Sequence, residues 1–280
     1  MILILKKSLH VFVLLGVLAG TALTQDDVIK AEKIKDIVIG QSMVIPSKAT
    51  NVNFKINVRV PEGYAESMEY YPVLYSLGSG FLGVCGLATY WTLPKMIIIN
   101  IEDDEAGRFH MLLYQEGAFS ADNAQEFLRF FLEELIPYVD SHYRTLPYRV
   151  AWAGEIPCSA PFVYAFMKRP DLINACIVNE ADHQSGHFIQ KNIESWLNNG
   201  TYNNNFLFLT SSNDPEGVVS HKALTDILKR VSPEGLKWEE HLWLEEEHRT
   251  VHPRTLFSDL EWNSIPEVYL EKGFQGFFDY

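Results

Sequence analysis

The spacing of apolar positions changes part-way along the chain, and the change predicts its architecture. Val52, Phe54, Ile56, Val58 and Val60 alternate with polar residues, the period-two signature of a half-exposed antiparallel strand. Residues 37–45 precede it as a first strand, and Pro61-Glu62-Gly63 makes the turn that follows. Beyond that turn the apolar runs become continuous: 72–77 (PVLYSL), 96–101 (MIIINI), 149–153, 175–179 and 206–210. Such runs suit strands covered on both faces. Helical spacing appears between them, most clearly over 121–140, where Phe127, Phe130, Phe131, Leu135 and Tyr138 share a face. Further helices are predicted near 157–170, 221–231 and 254–262, with a last strand at 238–244. An antiparallel start followed by alternating strands and helices predicts an α/β fold with a mostly parallel sheet and helices on both faces.

The first residues follow another logic. Lys6 and Lys7 precede an apolar run, 11–18, and then small residues around Ala19, Gly20 and Ala22, the order of a secretory signal peptide. The run is short for a membrane span, so residues 1–24 are read as a cleaved leader and 25–280 as one domain, periplasmic or extracellular. The formal charge is −13 and becomes −15 without that leader, which holds two lysines and no acid. So acidic a chain is a poor ligand for nucleic acid or an anionic membrane. Three cysteines, Cys85, Cys158 and Cys176, permit at most one internal disulfide and have no zinc-type spacing.

The stretch 148–171, YRVAWAGEIPCSAPFVYAFMKRPD, reads as a buried strand, a sharp turn at Gly154 and a helix ended by Pro170. That is the setting of a nucleophile elbow, G-x-S-x-G, which lifts a serine above the sheet edge. Its flanks are FLRFFLEELIPYVDSHYRTLPYR over 127–149 and MKRPDLINA over 167–175. With them the chain resembles the putative-esterase family of α/β-hydrolases, which includes esterase D-like enzymes, enterochelin esterases, feruloyl esterases and mycolyltransferases. The resemblance spans most of the chain after about Asn51 and implies an α/β-hydrolase fold acting on carboxylic esters without a cofactor or metal.

The resemblance also implies where the site lies. The motif EEEHRTVHPRTLFSDLEW, 245–262, resembles the stretch that carries the family's catalytic histidine and puts His248 at the base position. The loop SSNDPEG, 211–217, would supply the acid, Asp214 or Glu216. Leu77-Gly78-Ser79-Gly80 stands where the family has an oxyanion loop. The elbow itself departs from the pattern, reading Gly154-Glu155-Ile156-Pro157-Cys158. Ile156, at the serine position, has no lone pair with which to attack a carbonyl. Pro157 has no N–H to give an oxyanion, and Cys158 replaces the glycine that lets helix and strand pack closely.

Those residues predict an exported esterase-like protein without its nucleophile, a pseudoenzyme or a binder of a small acyl, siderophore or glycan ligand. The alternative is an active ester hydrolase using a displaced nucleophile, Cys158 or Ser159, with His248 and Asp214. His183 and His187 are four apart but lack the glutamate of H-E-x-x-H, and a polar loop is the simpler reading. Arg108 and His110 stand where the family has a charged substrate loop, and Phe81, Tyr90 and Trp91 are candidates for a pocket rim. Asn199-Gly200-Thr201 is a glycosylation acceptor only in a eukaryotic secretory route.

Overall fold

A computed structural model describes residues 37–78, 80–89, 94–102, 107, 114–115, 118–119, 121–153, 159–181, 187–248, 250–251 and 255. The chain divides into two compact units, Met1–Val38 and Ile39–Tyr280, and every element below belongs to the second. The proposed leader and most of the closing helix, 254–262, lie outside the described residues. No helix among the described residues is long and apolar enough to cross a membrane.

The strands are β1 (Gln41–Pro46), β2 (Asn53–Arg59), β3 (Tyr71–Leu77), β4 (Ile97–Glu102), β5 (Tyr114–Gln115), β6 (Ala118–Phe119), β7 (Thr145–Ala153), β8 (Ala175–Asn179), β9 (Asn205–Ser211) and β10 (Leu236–Leu242). All but the small β5–β6 hairpin join one eight-stranded sheet in the order β1-β2-β4-β3-β7-β8-β9-β10. β1 and β2 are antiparallel, as is β2 with β4, and the remaining pairs are parallel. The change of pairing along the sheet follows the change of period along the sequence.

Central strands alternate their side chains between two buried layers. Val73, Tyr75, Ile99, Ala151, Cys176 and Leu207 meet the helices on one face. Leu74, Ile98, Val150, Trp152, Ile177 and Phe208 meet Phe81 and Val84 of helix Phe81–Thr89 and Val251 on the other. The first layer is rich in rings. Phe54 stacks on Phe130 at 3.7 Å, and Phe131 meets Tyr75 edge-on at 5.0 Å and Phe162 at 5.3 Å.

The predicted helix over 121–140 is divided. Residues Ala121–Arg129 are α-helical, Phe130–Leu135 widen into π-helical turns and Ile136–His142 return to α. Pro137 lacks the N–H that a regular helix would give to Glu133, and the wider turn lets Phe130, Phe131, Leu132, Leu135 and Ile136 all be buried. Two further helices, Phe81–Thr89 and Phe188–Asn199, have no counterpart in the sequence reading.

At the far edge, β10 is tied to helix Pro215–Arg230. His221 Nε2 lies 2.7 Å from Glu240 Oε2, and Lys229 Nζ lies 3.5 Å from Oε1. The His221 hydrogen bond, with smaller help from the Lys229 charge, holds the Glu240 carboxyl below its usual range. A carboxylate depressed in the folded state stabilises above its unfolded value and loses that contribution as pH falls through the folded one. In a series of thermal melts, the advantage of the parent over Glu240→Gln is expected to shrink steadily as pH falls below about 4.5, the ordinary value for this group.

Candidate active site at the carboxyl edge of the sheet

Parallel register brings the carboxyl ends of four neighbouring strands to one level. Ser76 pairs with Trp152, Ala153 with Val178 and Asn179 with Thr210. The carboxyl ends of β3, β7, β8 and β9 therefore stand side by side. The connection from β3 leads outward to β4, and the chain then returns past β3 to place β7 on its other side. That reversal makes a switch point, where open α/β sheets bind ligands.

The elbow positions proposed from the sequence follow β7. The strand ends at Ala153, and helix Ser159–Lys168 begins after five intervening residues. Gly154, Glu155, Ile156, Pro157 and Cys158, the elbow positions, lie outside the described residues, as do Ser79 and the Ser159 side chain. The strand and the helix anticipated on either side of them are both present. Gly78 is described, with φ +90°. Its N–H donates to Ile101 O at 3.0 Å and its carbonyl accepts from Asn100 Nδ2 at 3.0 Å. Gly78 thus turns the chain out of the sheet while its own N–H continues the β3–β4 ladder.

His248 begins a helical turn held against the end of β9. Trp243 N donates to Ser211 O at 2.9 Å and Asn213 N to Glu246 O at 3.0 Å. Three residues and seven residues further on, Val251 and Thr255 are fully buried, and Thr255 Oγ1 accepts from Asn179 Nδ2. Asn179 also donates to Thr210 Oγ1 at 2.8 Å and accepts from Trp152 Nε1 at 3.1 Å. The ends of β7, β8 and β9 are thereby locked to the segment carrying His248.

The carboxylate that meets His248 is Glu180, immediately after β8. His248 Nδ1 hydrogen-bonds Glu180 Oε2, and Ser212 Oγ donates to Glu180 Oε1. The Glu180 side chain is 0% exposed against 44% for His248, so the acid is inside and the imidazole reaches the surface. Glu180 N donates to Thr210 O at 2.8 Å with φ +51°, a left-handed conformation uncommon outside glycine, asparagine and aspartate.

The other predicted residues are elsewhere or hold other contacts. Asp214 caps helix Pro215–Arg230, its Oδ1 accepting from Gly217 N at 2.9 Å, and Glu216 lies in that helix's first turn. His187 has φ +60° and precedes helix Phe188–Asn199, whereas His183, Tyr90, Trp91, Arg108 and His110 lie outside the described residues. Phe81 is buried in the core beside Val84 and so lines no rim. Cys85 and Cys176 are free and buried, and burial pushes both thiols upward. A cavity of about 580 Å³ opens at the opposite edge of the sheet, among Met167, Trp196, Asn199 and Asn205, away from this cluster. No group of histidine, cysteine and acidic residues among the described residues is arranged to hold a metal ion.

Residues 47–155 match the family described as "Putative esterase". The chain has an α/β-hydrolase fold, and residues 47–155 carry the likeness to the esterases. The match ends at Glu155, directly before Ile156. Among solved structures, an IroE-like serine hydrolase from Shewanella oneidensis is 23% identical, with 78% of each chain covered and a TM-score of 0.66. The BES protein from Bacillus cereus is 18% identical, with 82% of this chain and 96% of that one covered at 0.64. Siderophore hydrolase EstB from Aspergillus nidulans is 13% identical, with 81% and 94% covered at 0.62. An enterochelin esterase from Shigella flexneri covers 78% of this α/β-hydrolase, which spans 56% of it, at 14% identity and 0.57. At these identities the likeness is one of fold. No curated protein sequence matches the chain.

Proposed function

We propose that this α/β-hydrolase is an exported, non-catalytic relative of the esterases, which keeps a binding cleft at the carboxyl edge and has lost the group that attacks the ester. The observation that carries this reading is Ile156-Pro157 between the end of β7 and helix Ser159–Lys168. Acyl transfer on this fold needs a nucleophile at the apex and an N–H from the next residue aimed at the oxyanion. Here one position has a hydrocarbon side chain and the other has no N–H. Beyond that loss, a β-branched residue is poorly suited to a strained positive φ, and a residue before proline is pushed toward extended conformations. The pair favours a relaxed turn into the helix.

The enterochelin esterase and the siderophore hydrolase among the similar folds support a small acyl ester such as a siderophore as the ligand of the cleft. The leader-like residues 1–24 support delivery to a periplasm or the medium. Hydrolysis of short-chain aryl esters by the protein lacking residues 1–24 tests the reading. It is expected to be indistinguishable from the rate without protein. Turnover that disappears in Cys158→Ala or Ser159→Ala would instead establish a displaced nucleophile.

A further inference from the structure

We infer that Glu180 positions His248, so that the acid of this site stands at the end of β8 and Asp214, in the loop after β9, is a helix cap. The inference rests on reading His248 as the base position of an esterase-like site and adds which carboxylate serves it. Three observations converge on Glu180. Its two oxygens are divided between Ser212 Oγ and His248 Nδ1, an arrangement that fixes the carboxylate before it fixes the ring. It is buried while His248 is half-exposed, so the hydrogen bond holds Nδ1 on the inner side of the ring. Its backbone keeps a left-handed φ of +51°, a strained conformation that persists only where surrounding contacts over-determine it.

The neighbouring residue supports the same assignment. Asn179 binds Thr255, seven residues after His248, so consecutive residues at the end of β8 grip both ends of the segment that presents the imidazole. Asp214 has a different structural task. It precedes Pro215 and accepts from Gly217 N at 2.9 Å, as a residue ending a loop and starting a helix does. A carboxylate on Nδ1 keeps the proton there and leaves Nε2 able to accept one, which is how an orienting acid serves a base.

The test reads the histidine tautomer in the otherwise unaltered chain, by ¹⁵N NMR of histidine-labelled protein at a pH where the ring is neutral. The parent and Asp214→Asn are expected to show His248 protonated at Nδ1, and Glu180→Gln to move the proton to Nε2. A merely structural role for Glu180 would leave the tautomer in place. A tautomer that changes in Asp214→Asn and not in Glu180→Gln overturns the assignment. Should Glu180→Gln not fold, Asp214→Asn decides alone, supporting the inference if the tautomer stays and overturning it if it moves.

Kinetics supply a second readout in the elbow-restored chain Ile156→Ser/Pro157→Met/Cys158→Gly. There Glu180→Gln is expected to lower kcat about ten-thousandfold with KM little changed, Glu180→Asp to recover part of the loss, and Asp214→Asn to stay within a few-fold. Failure of the restored elbow to turn over would mean that decay reached beyond the elbow and would leave the assignment to the tautomer, which is read without it.

Discussion

Ile156→Ser/Pro157→Met/Cys158→Gly is expected to create aryl-ester turnover where the parent has none. The triple variant returns a hydroxyl to the apex, a backbone N–H to the next position and a glycine to the start of the helix. Under the proposed function it would draw from elsewhere on His248, which Glu180 holds, and on the end of β3, which leaves the sheet at Gly78 beside β7. Loss of one oxyanion donor costs about a hundred- to a thousandfold, and loss of the serine of a triad about a millionfold. Because such losses do not add, the gain in kcat is expected to be at least about a thousandfold. It is measured as initial rates on 4-nitrophenyl acetate and butyrate, beside Ile156→Ser alone, which should gain far less while Pro157 remains. No gain in a folded triple variant would mean that decay reached beyond the elbow.

The second large effect concerns stability. Arg149 lies on β7, the strand that leads into the elbow, with its side chain 10% exposed. Its Nη2 meets Asp140 Oδ2 at 2.6 Å, and Asp140 also accepts from Thr145 Oγ1 at 2.8 Å. Beside it the Tyr75 phenol is pushed above its usual range by burial. Asp140→Ala would leave a buried guanidinium without its counter-charge, and breaking such a pair costs about 3–5 kcal/mol. The Arg169–Asp171 pair is well exposed, and Asp171→Ala should cost no more than about 1 kcal/mol. Urea unfolding separates them: Asp140→Ala is expected to shift the midpoint strongly at unchanged m, and Asp171→Ala hardly at all. Equal shifts would show that burial of Arg149 is not what makes its partner matter.

Strands were legible where burial alone decides the pattern. The continuous apolar runs all became central strands, and the period-two segment became β2, paired antiparallel on both sides. β7 reaches back further than its apolar core because Pro147 is accommodated near an irregularity in the β3–β7 register, between Tyr71 and Val73. Proline in a central strand is otherwise excluded by the missing N–H. Helix Phe81–Thr89 escaped notice because FLGVCGLAT has two glycines and no polar face. Helix Phe188–Asn199 did carry a signal, with Phe188, Ile189, Ile193, Trp196 and Leu197 all buried on one side, hidden behind the two histidines preceding it. Asp214-Pro215 likewise reads as a helix start, and the helix indeed begins there rather than near His221.

The sequence supports a proposal for the candidate site only where one residue type has one use. Ile156 and Pro157 speak through what they lack, and His248 through its motif. Glu180 gave no sign, because nothing local distinguishes NEAD at a strand end from any polar turn. Its partner is 68 positions away, and the two meet only when β8 and β9 pair and the loop after β10 folds back over them. An acid identified by its distance from other residues in sequence falls in the loop after β9. An acid identified by contact falls one strand nearer the elbow.

The measurement that bears most directly on the central claim is labelling with an alkyl fluorophosphonate, which phosphonylates an activated serine, beside iodoacetamide, which alkylates an activated thiol, each whatever the substrate. Intact mass and peptide mapping of the protein lacking residues 1–24 are expected to show no adduct, while the elbow-restored variant takes up one equivalent at position 156. A stoichiometric adduct on the parent, mapping to Cys158, Ser159 or any residue beside His248, would contradict the loss of the nucleophile.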